Sequence, residues 1–284
     1  MIEGMDILST NRVAALLGVS EATVKRWSDA GTLKCFKTAG GHRKFRLRDV
    51  RAFLSDQRDD APVDVGSVTT LSTEQAEVRS LALNADVDGL VSFVASQRLR
   101  GASMAETFDR VFAPALADIG ESWARGRLSA AQEHIASGAV GDMLARLRPV
   151  VERGSRVDRG RALCACLGEE RHELGVRMAA IVLAGEGFRV ATAGATVPAS
   201  DIAMMVAGHA PALLVLSASE CADAAGLAAD LAIVADAAPP GRTRIVTGGA
   251  GFQKLVALPA SVECFSSLER LVLALRNGRD EARA

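Results

Sequence analysis

The chain has 284 residues, of which 49% are hydrophobic and 24% charged, and its formal net charge is −1 at pH 7. This length indicates two or three domains with ample core. No stretch of about eighteen uncharged apolar residues occurs and the N-terminus lacks signal-peptide features, so we expect a soluble, cytoplasmic protein without a membrane partner. The cysteines show no paired zinc spacing and are expected to be buried thiols of a reducing compartment: Cys35, Cys164, Cys166, Cys221 and Cys264.

Residues 7–55 carry the pattern of a helix-turn-helix. Ser9 or Thr10 can cap a short helix, and Gly18-Val19-Ser20 makes a turn whose serine can cap a second helix that begins at Glu21. Two short helices joined by a glycine-containing turn are typical of DNA-binding proteins.

The same segment is strongly basic. Between Lys25 and Arg51 the sequence has nine Lys or Arg residues against two acids. Such a cluster is the electrostatic footprint of phosphate binding, so we expect double-stranded DNA as a partner. The alternative is a solvated basic surface on a helical domain.

A glycine turn within residues 37–45 predicts a β-hairpin wing. With Val24-Lys25-Arg26-Trp27 before it and Asp49-Val50-Arg51-Ala52-Phe53-Leu54 after it, the segment resembles the winged helix-turn-helix of the MerR superfamily. The resemblance implies that Thr23, Lys25 and Arg26 enter the major groove. It also implies that His42 and Arg43 contact the DNA backbone or the minor groove, whereas Trp27 is expected in the core.

Residues 57–72 have the polar composition of a linker, and the chain then becomes strongly helical. Alanine and leucine recur at spacings of three and four, which predicts a four-helix bundle with a bend or break near Pro114. The expected helices span residues 73–84, 86–99, 103–124 and 128–152.

The C-terminal part holds three apolar runs that predict buried strands of a parallel sheet, Ala162–Leu167, Ala212–Leu216 and Ile245–Thr247. Three polar or glycine-containing segments directly follow these runs: Glu170-Arg171-His172-Glu173-Leu174-Gly175, Ser217-Ala218-Ser219 and Gly248-Gly249. Because parallel strands end at the same edge of a sheet, we expect the three segments to meet there.

His172 is the candidate metal ligand of this edge. Neutral imidazole is a common metal ligand, and Glu170 could hold the ring's other nitrogen and fix its tautomer. Gly175 would let a bulky group approach the backbone. Taken alone, the segment is more typical of a solvated surface histidine than of a metal ligand.

The three segments together resemble the cobalamin-binding Rossmann-like domain of corrinoid methyltransferases, mutases and photoreceptors. The resemblance implies cobalamin as cofactor, His172 as the lower cobalt ligand and Glu170 as its orienting partner. It assigns the nucleotide tail to Ser217 and Ser219, with a close backbone approach at Gly248 and Gly249. The alternative is a flavodoxin-like domain without this ligand.

Trp123 is followed, after nine residues, by Glu133-His134, with the tryptophan expected at the end of one helix and the pair in the first turns of the next. Alone, these would be a helix-end tryptophan and a surface pair. Between a MerR-like module and a cobalamin domain, they resemble the helical domain of the CarH/LitR family of cobalamin-dependent light-responsive repressors. The resemblance implies that the bundle caps adenosylcobalamin and that Trp123, Glu133 and His134 enclose its adenosyl group.

In that family the protein is a DNA-bound tetramer in the dark. Light breaks the cobalt–carbon bond, and the tetramer then dissociates. The chain departs from the family at Ala124, where members that form a bis-histidine adduct carry a histidine. An alanine cannot ligate cobalt, so His134 or water would have to take that position after illumination.

These patterns predict a multi-domain α and α/β protein with a MerR-type winged helix-turn-helix at 1–56, a linker at 57–72, a helical bundle at 73–155 and a Rossmann-like (flavodoxin-like) domain at 156–284. We expect a one-component transcriptional regulator and photoreceptor, a repressor and not an enzyme, that forms a homotetramer in the dark. Two alternatives remain: a cobalamin-level or redox sensor without light response, and a corrinoid methyl carrier.

Overall fold

A computed structural model describes residues 7–17, 21–38, 40–46, 49–50, 53, 71–154, 157–219 and 223–281. The chain divides into two compact units. The first comprises residues 1–107 and 114–146, and the second comprises residues 108–113 and 147–284. Among the helices within the described ranges, none combines the length and the apolar character that crossing a membrane requires.

The first unit begins with two short helices and a small antiparallel sheet. Helices α1 (Thr10–Leu17) and α2 (Glu21–Asp29) confirm the two expected helices, and the Ser9 hydroxyl caps α1 by accepting from the amide of Arg12 at 3.3 Å. The predicted Ser20 cap lies outside the described residues. Three strands form a sheet in the order β1-β3-β2: β1 (Ile7–Ser9), β2 (Phe36–Lys37) and β3 (Arg43–Arg46).

Strands β2 and β3 are the predicted wing, closed by hydrogen bonds from the amide of Thr38 to the carbonyl of His42 and from Gly41 to Thr38. Strand β1 was not predicted, because three residues are too few to show an alternating pattern. The core contains Val13, Val24, Leu33, Phe45 and Val50, all fully buried. Trp27 packs at 5.0 Å from the Phe53 ring, which confirms its core position.

The helical region confirms the expected bundle helices to within a few residues. They are α3 (Thr73–Leu83), α4 (Val87–Leu99), α5 (Met104–Thr107), α6 (Ala113–Ala124) and α7 (Ala130–Gly154). Between α5 and α6, residues Phe108–Phe112 form a π-helical turn. Pro114 has no N–H to donate to the carbonyl four residues earlier, and a wider turn accommodates this loss.

The second unit contains a five-stranded parallel sheet in the order β5-β4-β6-β7-β8. The strands are β4 (Arg161–Cys166), β5 (Arg189–Gly194), β6 (Leu213–Ser217), β7 (Arg244–Gly248) and β8 (Val262–Phe265). The helices are α8 (Leu174–Gly185), α9 (Ala199–His209), α10 (Ala224–Ala237), α11 (Ala250–Gln253) and α12 (Leu268–Glu281). The three predicted strands are confirmed to within one residue.

Both faces of this sheet are covered, and successive residues of β4 alternate between two hydrophobic cores. Cys164 and Cys166 therefore lie on one face, and burial raises the pKa of each thiol to about 12. The expectation that all cysteines are buried is wrong for Cys264, which is exposed because β8 is an edge strand, and for Cys35, which is half-buried.

Asp109, in the π-helical turn, caps helix α12 across a long sequence separation. Its two carboxylate oxygens accept from the backbone amides of Leu268 at 3.1 Å and Glu269 at 2.8 Å. Arg110 forms an ion pair with the Glu269 side chain at 3.2 Å. A carboxylate at this position satisfies two amides of the first helical turn and has a favourable charge for the helix dipole.

We expect Asp109→Ala to lower the free energy of unfolding by about 1 kcal/mol, the usual cost of removing an N-cap acceptor. Asp109→Asn keeps an acceptor oxygen and should cost less. Asp236→Ala, which removes an exposed carboxylate from α10, is the control. Thermal unfolding followed by circular dichroism measures the midpoints of the three variants. Equal midpoints for Asp109→Ala and Asp236→Ala would contradict the cap.

Candidate functional site

The carboxyl ends of three strands bring the predicted segments to one edge of the sheet. Cys166, the last residue of β4, is aligned with Ser217 of β6, and Ser217 is aligned with Gly248 of β7. The His172 loop, the serine segment and the glycine pair therefore follow neighbouring strands. The expectation that they meet at one edge is confirmed.

Glu170 makes the hydrogen bonds that connect the loops at this edge. Its side chain is 1% exposed, and Oε1 accepts from the backbone amide of His172 at 2.7 Å. Oε2 accepts from both the amide and the hydroxyl of Ser219. The Glu170 carbonyl also accepts from the amide of Thr196 at 3.3 Å, so one residue ties together the loops that follow β4, β5 and β6.

The charge of Glu170 is stabilised despite its burial. Burial alone would raise the pKa of this carboxyl, but the hydrogen bonds from Ser219 and His172 outweigh it and hold the pKa below its ordinary value. The group is therefore a buried carboxylate at neutral pH, with donors that compensate its desolvation.

The imidazole of His172 is held at one nitrogen. Its Nδ1 lies 2.9 Å from Glu170 Oε1, while the side chain is 61% exposed. A carboxylate at Nδ1 favours the tautomer that carries its proton there, which leaves the Nε2 lone pair as an acceptor or metal ligand. The His172 carbonyl accepts from the Cys166 thiol at 3.7 Å, and this contact holds the loop to the end of β4.

No group of three or more His, Cys, Asp or Glu side chains with metal-binding geometry occurs in the part of the chain that the structure describes. A bare transition metal is usually held by three or four protein ligands. A single oriented imidazole fits a metal whose other positions are filled by a macrocycle. A cavity of about 440 Å³ adjoins His172, and its lining includes Gly168, Glu170, Asp223 and Leu227.

The glycines at this edge have different roles. A Cβ built on Gly175 would lie 3.5 Å from Ser217 Oγ, so the first turn of α8 passes close to the serine. A Cβ on Gly248 would lie 3.5 Å from the Phe265 carbonyl, which is ordinary contact. Gly249 has φ +100°, and its Cβ would lie 2.3 Å from the Ala218 carbonyl. Gly249 is thus required by the packing of two loops, whatever binds beside them.

The first unit holds the second set of predicted residues. Trp123 lies in the last turn of α6 and is 49% exposed, and Glu133 and His134 lie in the first turn of α7, as the sequence predicts. Glu133 Oε2 lies 2.7 Å from His134 Nδ1, and Oε1 accepts from the Ser137 hydroxyl at 2.6 Å. Ser137 was missed, although its position four residues after Glu133 is a recognisable helical contact.

The connection between these helices is ordered by its own hydrogen bonds. Ser129 and Gln132 form a reciprocal cap at the start of α7, and the amides of Arg127 and Leu128 both donate to the carbonyl of Ser122. His134 is 79% exposed. Trp123 and His134 are therefore exposed groups on a well-defined loop and helix start.

A groove of about 340 Å³ lies between the wing and the two N-terminal helices. Its lining includes three of the predicted DNA contacts, Lys25, His42 and Arg43, together with Lys44 of the same basic cluster. Arg26 is exposed on α2 but does not line the groove. The side chain of Thr23 lies outside the described residues, although its backbone belongs to α2.

Arg43 forms an ion pair within the protein. Its guanidinium pairs with Asp29 at 2.5 Å and is 22% exposed. This contact joins the wing to the end of α2 and sets the position of the groove, so a role in DNA contact stays a prediction for Arg43.

Two sequence families match the chain. A helix-turn-helix domain family matches residues 7–58, and a B12 binding domain family matches residues 75–148. The monomethylamine corrinoid protein of Methanosarcina barkeri superposes with a TM-score of 0.54 at 16% identity, covering 68% of this chain and 92% of its own. At this identity the likeness shows the fold alone.

Two transcriptional repressors are related in sequence. DcmR of Methylorubrum extorquens is 33% identical over 78 residues, which are 27% of this chain and 29% of that repressor. The HTH-type transcriptional repressor CarH of Myxococcus xanthus is 30% identical over 233 residues, which are 73% of this chain and 77% of that repressor. With an N-terminal helix-turn-helix, a B12 binding domain and a parallel sheet, the chain belongs to the family of CarH-type cobalamin-binding transcriptional regulators.

Proposed function

We propose that this regulator is a repressor that binds adenosylcobalamin and loses its hold on DNA when light alters the cofactor. The observation that carries the proposal is the Glu170–His172 pair, a buried carboxylate holding one imidazole with its second nitrogen available at the ligand-binding edge of a parallel sheet. Such sheets bind ligands at this edge.

His172 is the proposed lower ligand of cobalt. Glu170 orients the ring, and Ser219 holds Glu170 in turn, so the ligand is positioned by two layers of hydrogen bonds. Ser217 and Gly175 lie against each other beside it, which supports the proposal that the nucleotide tail passes there. Ser219 donates to Glu170, so its proposed contact with the tail would be shared with this role.

Trp123, Glu133 and His134 are the proposed contacts of the upper ligand. A half-exposed tryptophan at the end of α6 and a carboxylate–imidazole pair near the start of α7 offer one apolar and one polar surface, as an adenosyl group requires. Adenosylcobalamin supplies a cobalt–carbon bond that visible light breaks. A group present in one state and absent in the other gives the differential binding free energy that a switch needs.

The DNA-binding role is proposed for residues 1–56, with Lys25 and Arg26 as contacts and His42 on the wing. Lys25 and Lys44 face one groove, and phosphate neutralisation at such a surface provides most of the non-specific affinity. A dark-state homotetramer would present several such modules to one duplex, and simultaneous binding raises affinity through effective concentration.

We expect His172→Ala to weaken adenosylcobalamin retention more than 10-fold, because partners that only orient a ligand already contribute about 10- to 100-fold. The variant's absorption spectrum should also lose the signature of an axial imidazole. His209→Ala, at the other end of the same sheet, is the control and should match the unaltered chain. Unchanged affinity and spectrum for His172→Ala would exclude it as the ligand.

Lys25→Ala should weaken operator binding and lower the slope of log K against log salt by about 1, the effect of losing one phosphate contact. Arg26→Ala should weaken binding similarly, or change base preference if it reads a base. Lys254→Ala, on an exposed turn of the second unit, is the control. Fluorescence anisotropy at several salt concentrations gives the slopes, and equal slopes for Lys25→Ala and the control would contradict docking through α2.

Trp123→Ala should retain adenosylcobalamin, because the residues proposed to hold the cobalt and the nucleotide tail lie at the His172 edge and are unchanged. It should instead uncouple light from assembly. Size-exclusion chromatography in the dark and after green light should show a larger and then a smaller species for the unaltered chain and for the control Val256→Ala. Equal elution of the unaltered chain in both states, with the cofactor demonstrably photolysed, would reject the light switch.

A further inference from the structure

A cavity of about 750 Å³ lies in the second unit at the end of the sheet opposite His172. It is bounded by the first residues of β4 and β5, the ends of α8 and α9, and Glu152 near the end of α7. Ligands of parallel sheets normally occupy the carboxyl ends of the strands. Neither the proposed cofactor contacts nor the proposed DNA contacts line this cavity.

The interior of this cavity is apolar. Leu163 and Phe188 form buried parts of its wall, and the apolar lining also includes Ala184, Ala191 and Met205. The volume falls within the range of about 300–1,000 Å³ that is typical of small-molecule sites. An apolar wall of this extent favours a ligand with a hydrocarbon or aromatic body.

Three basic side chains line the same cavity. Arg161 and Arg189 begin adjacent parallel strands and are aligned in register, so both project from the same face of the sheet. Like charges placed directly opposite each other on neighbouring strands are destabilising. His209, in the last turn of α9, lines the cavity as well.

The acids near the cavity already have partners. Glu152 accepts from Arg148 at 2.8 Å, and Asp158 accepts from the Gly160 amide at 2.9 Å and lies 3.4 Å from Arg189. Among the residues with described positions, no carboxylate lies within ion-pair distance of Arg161 or His209. Asp158 thus offsets part of the charge of Arg189, and an anionic ligand would offset the charge of Arg161.

We infer that this cavity binds a small molecule with an apolar body and one anionic head group, with Arg161 and Arg189 as the head-group ligands. A carboxylate or phosphate between the two guanidiniums converts their repulsion into charge-assisted hydrogen bonds. The inference does not depend on cobalamin, light or DNA.

The test uses the full chain and isothermal titration with three probes of equal chain length: decanoate, decyl phosphate and decyltrimethylammonium. We expect saturable binding of one equivalent of at least one anionic probe and none of the cationic probe. Binding of only one anion identifies the head group. Equal binding of the cationic probe, or no saturable binding of either anion up to millimolar concentration, overturns the inference.

Variants then locate the site. Arg161→Gln and Arg189→Gln should each weaken anion binding about 10-fold, the effect of losing one hydrogen bond to a charged group. Ala191→Trp should abolish binding by filling the cavity. Arg242→Gln is the matched control, since this exposed arginine lies at the same end of the sheet but does not line the cavity. Undiminished binding by folded Ala191→Trp, or equal weakening by Arg242→Gln, places the anion elsewhere and overturns the assignment.

Discussion

The buried carboxylate of Glu170 is the constraint on which the ligand-binding edge depends. A charge with 1% exposure would be strongly unfavourable without donors, and here four donors from two loops converge on it. Satisfying this charge forces the His172 loop and the Ser219 loop together. The orientation of the imidazole thus depends on the hydrogen bonds that compensate the buried charge of Glu170.

Two further contacts order the chain around this edge. Gly249 allows the loop after β7 to lie on the Ala218 carbonyl, which no residue with a Cβ would permit without displacement. Asp109 caps α12 across about 160 residues of sequence, and both belong to the second unit. The first contact meets a steric requirement of two loops. The second satisfies backbone amides at the start of a helix.

A similar arrangement of carboxylate and imidazole occurs twice in the chain. Glu170 holds Nδ1 of His172 in the second unit, and Glu133 holds Nδ1 of His134 in the first. The Glu170 side chain is 1% exposed and accepts from several donors, whereas the Glu133 side chain is 20% exposed. The difference in burial fits the proposed roles, a rigid metal ligand in one unit and a more adaptable contact in the other.

Local sequence patterns were enough to predict the order of the modules, the wing, the bundle helices and the three strands that carry the site, because periodicity, capping residues and glycine turns act locally. They also identified His172 with Glu170. The folded structure was needed to show that Ser219 donates to Glu170, that Arg43 pairs with Asp29, and that Arg161 and Arg189 are aligned at the far end of the sheet. These contacts join residues distant in sequence, and strand register, which sets them, depends on the packing of the whole sheet.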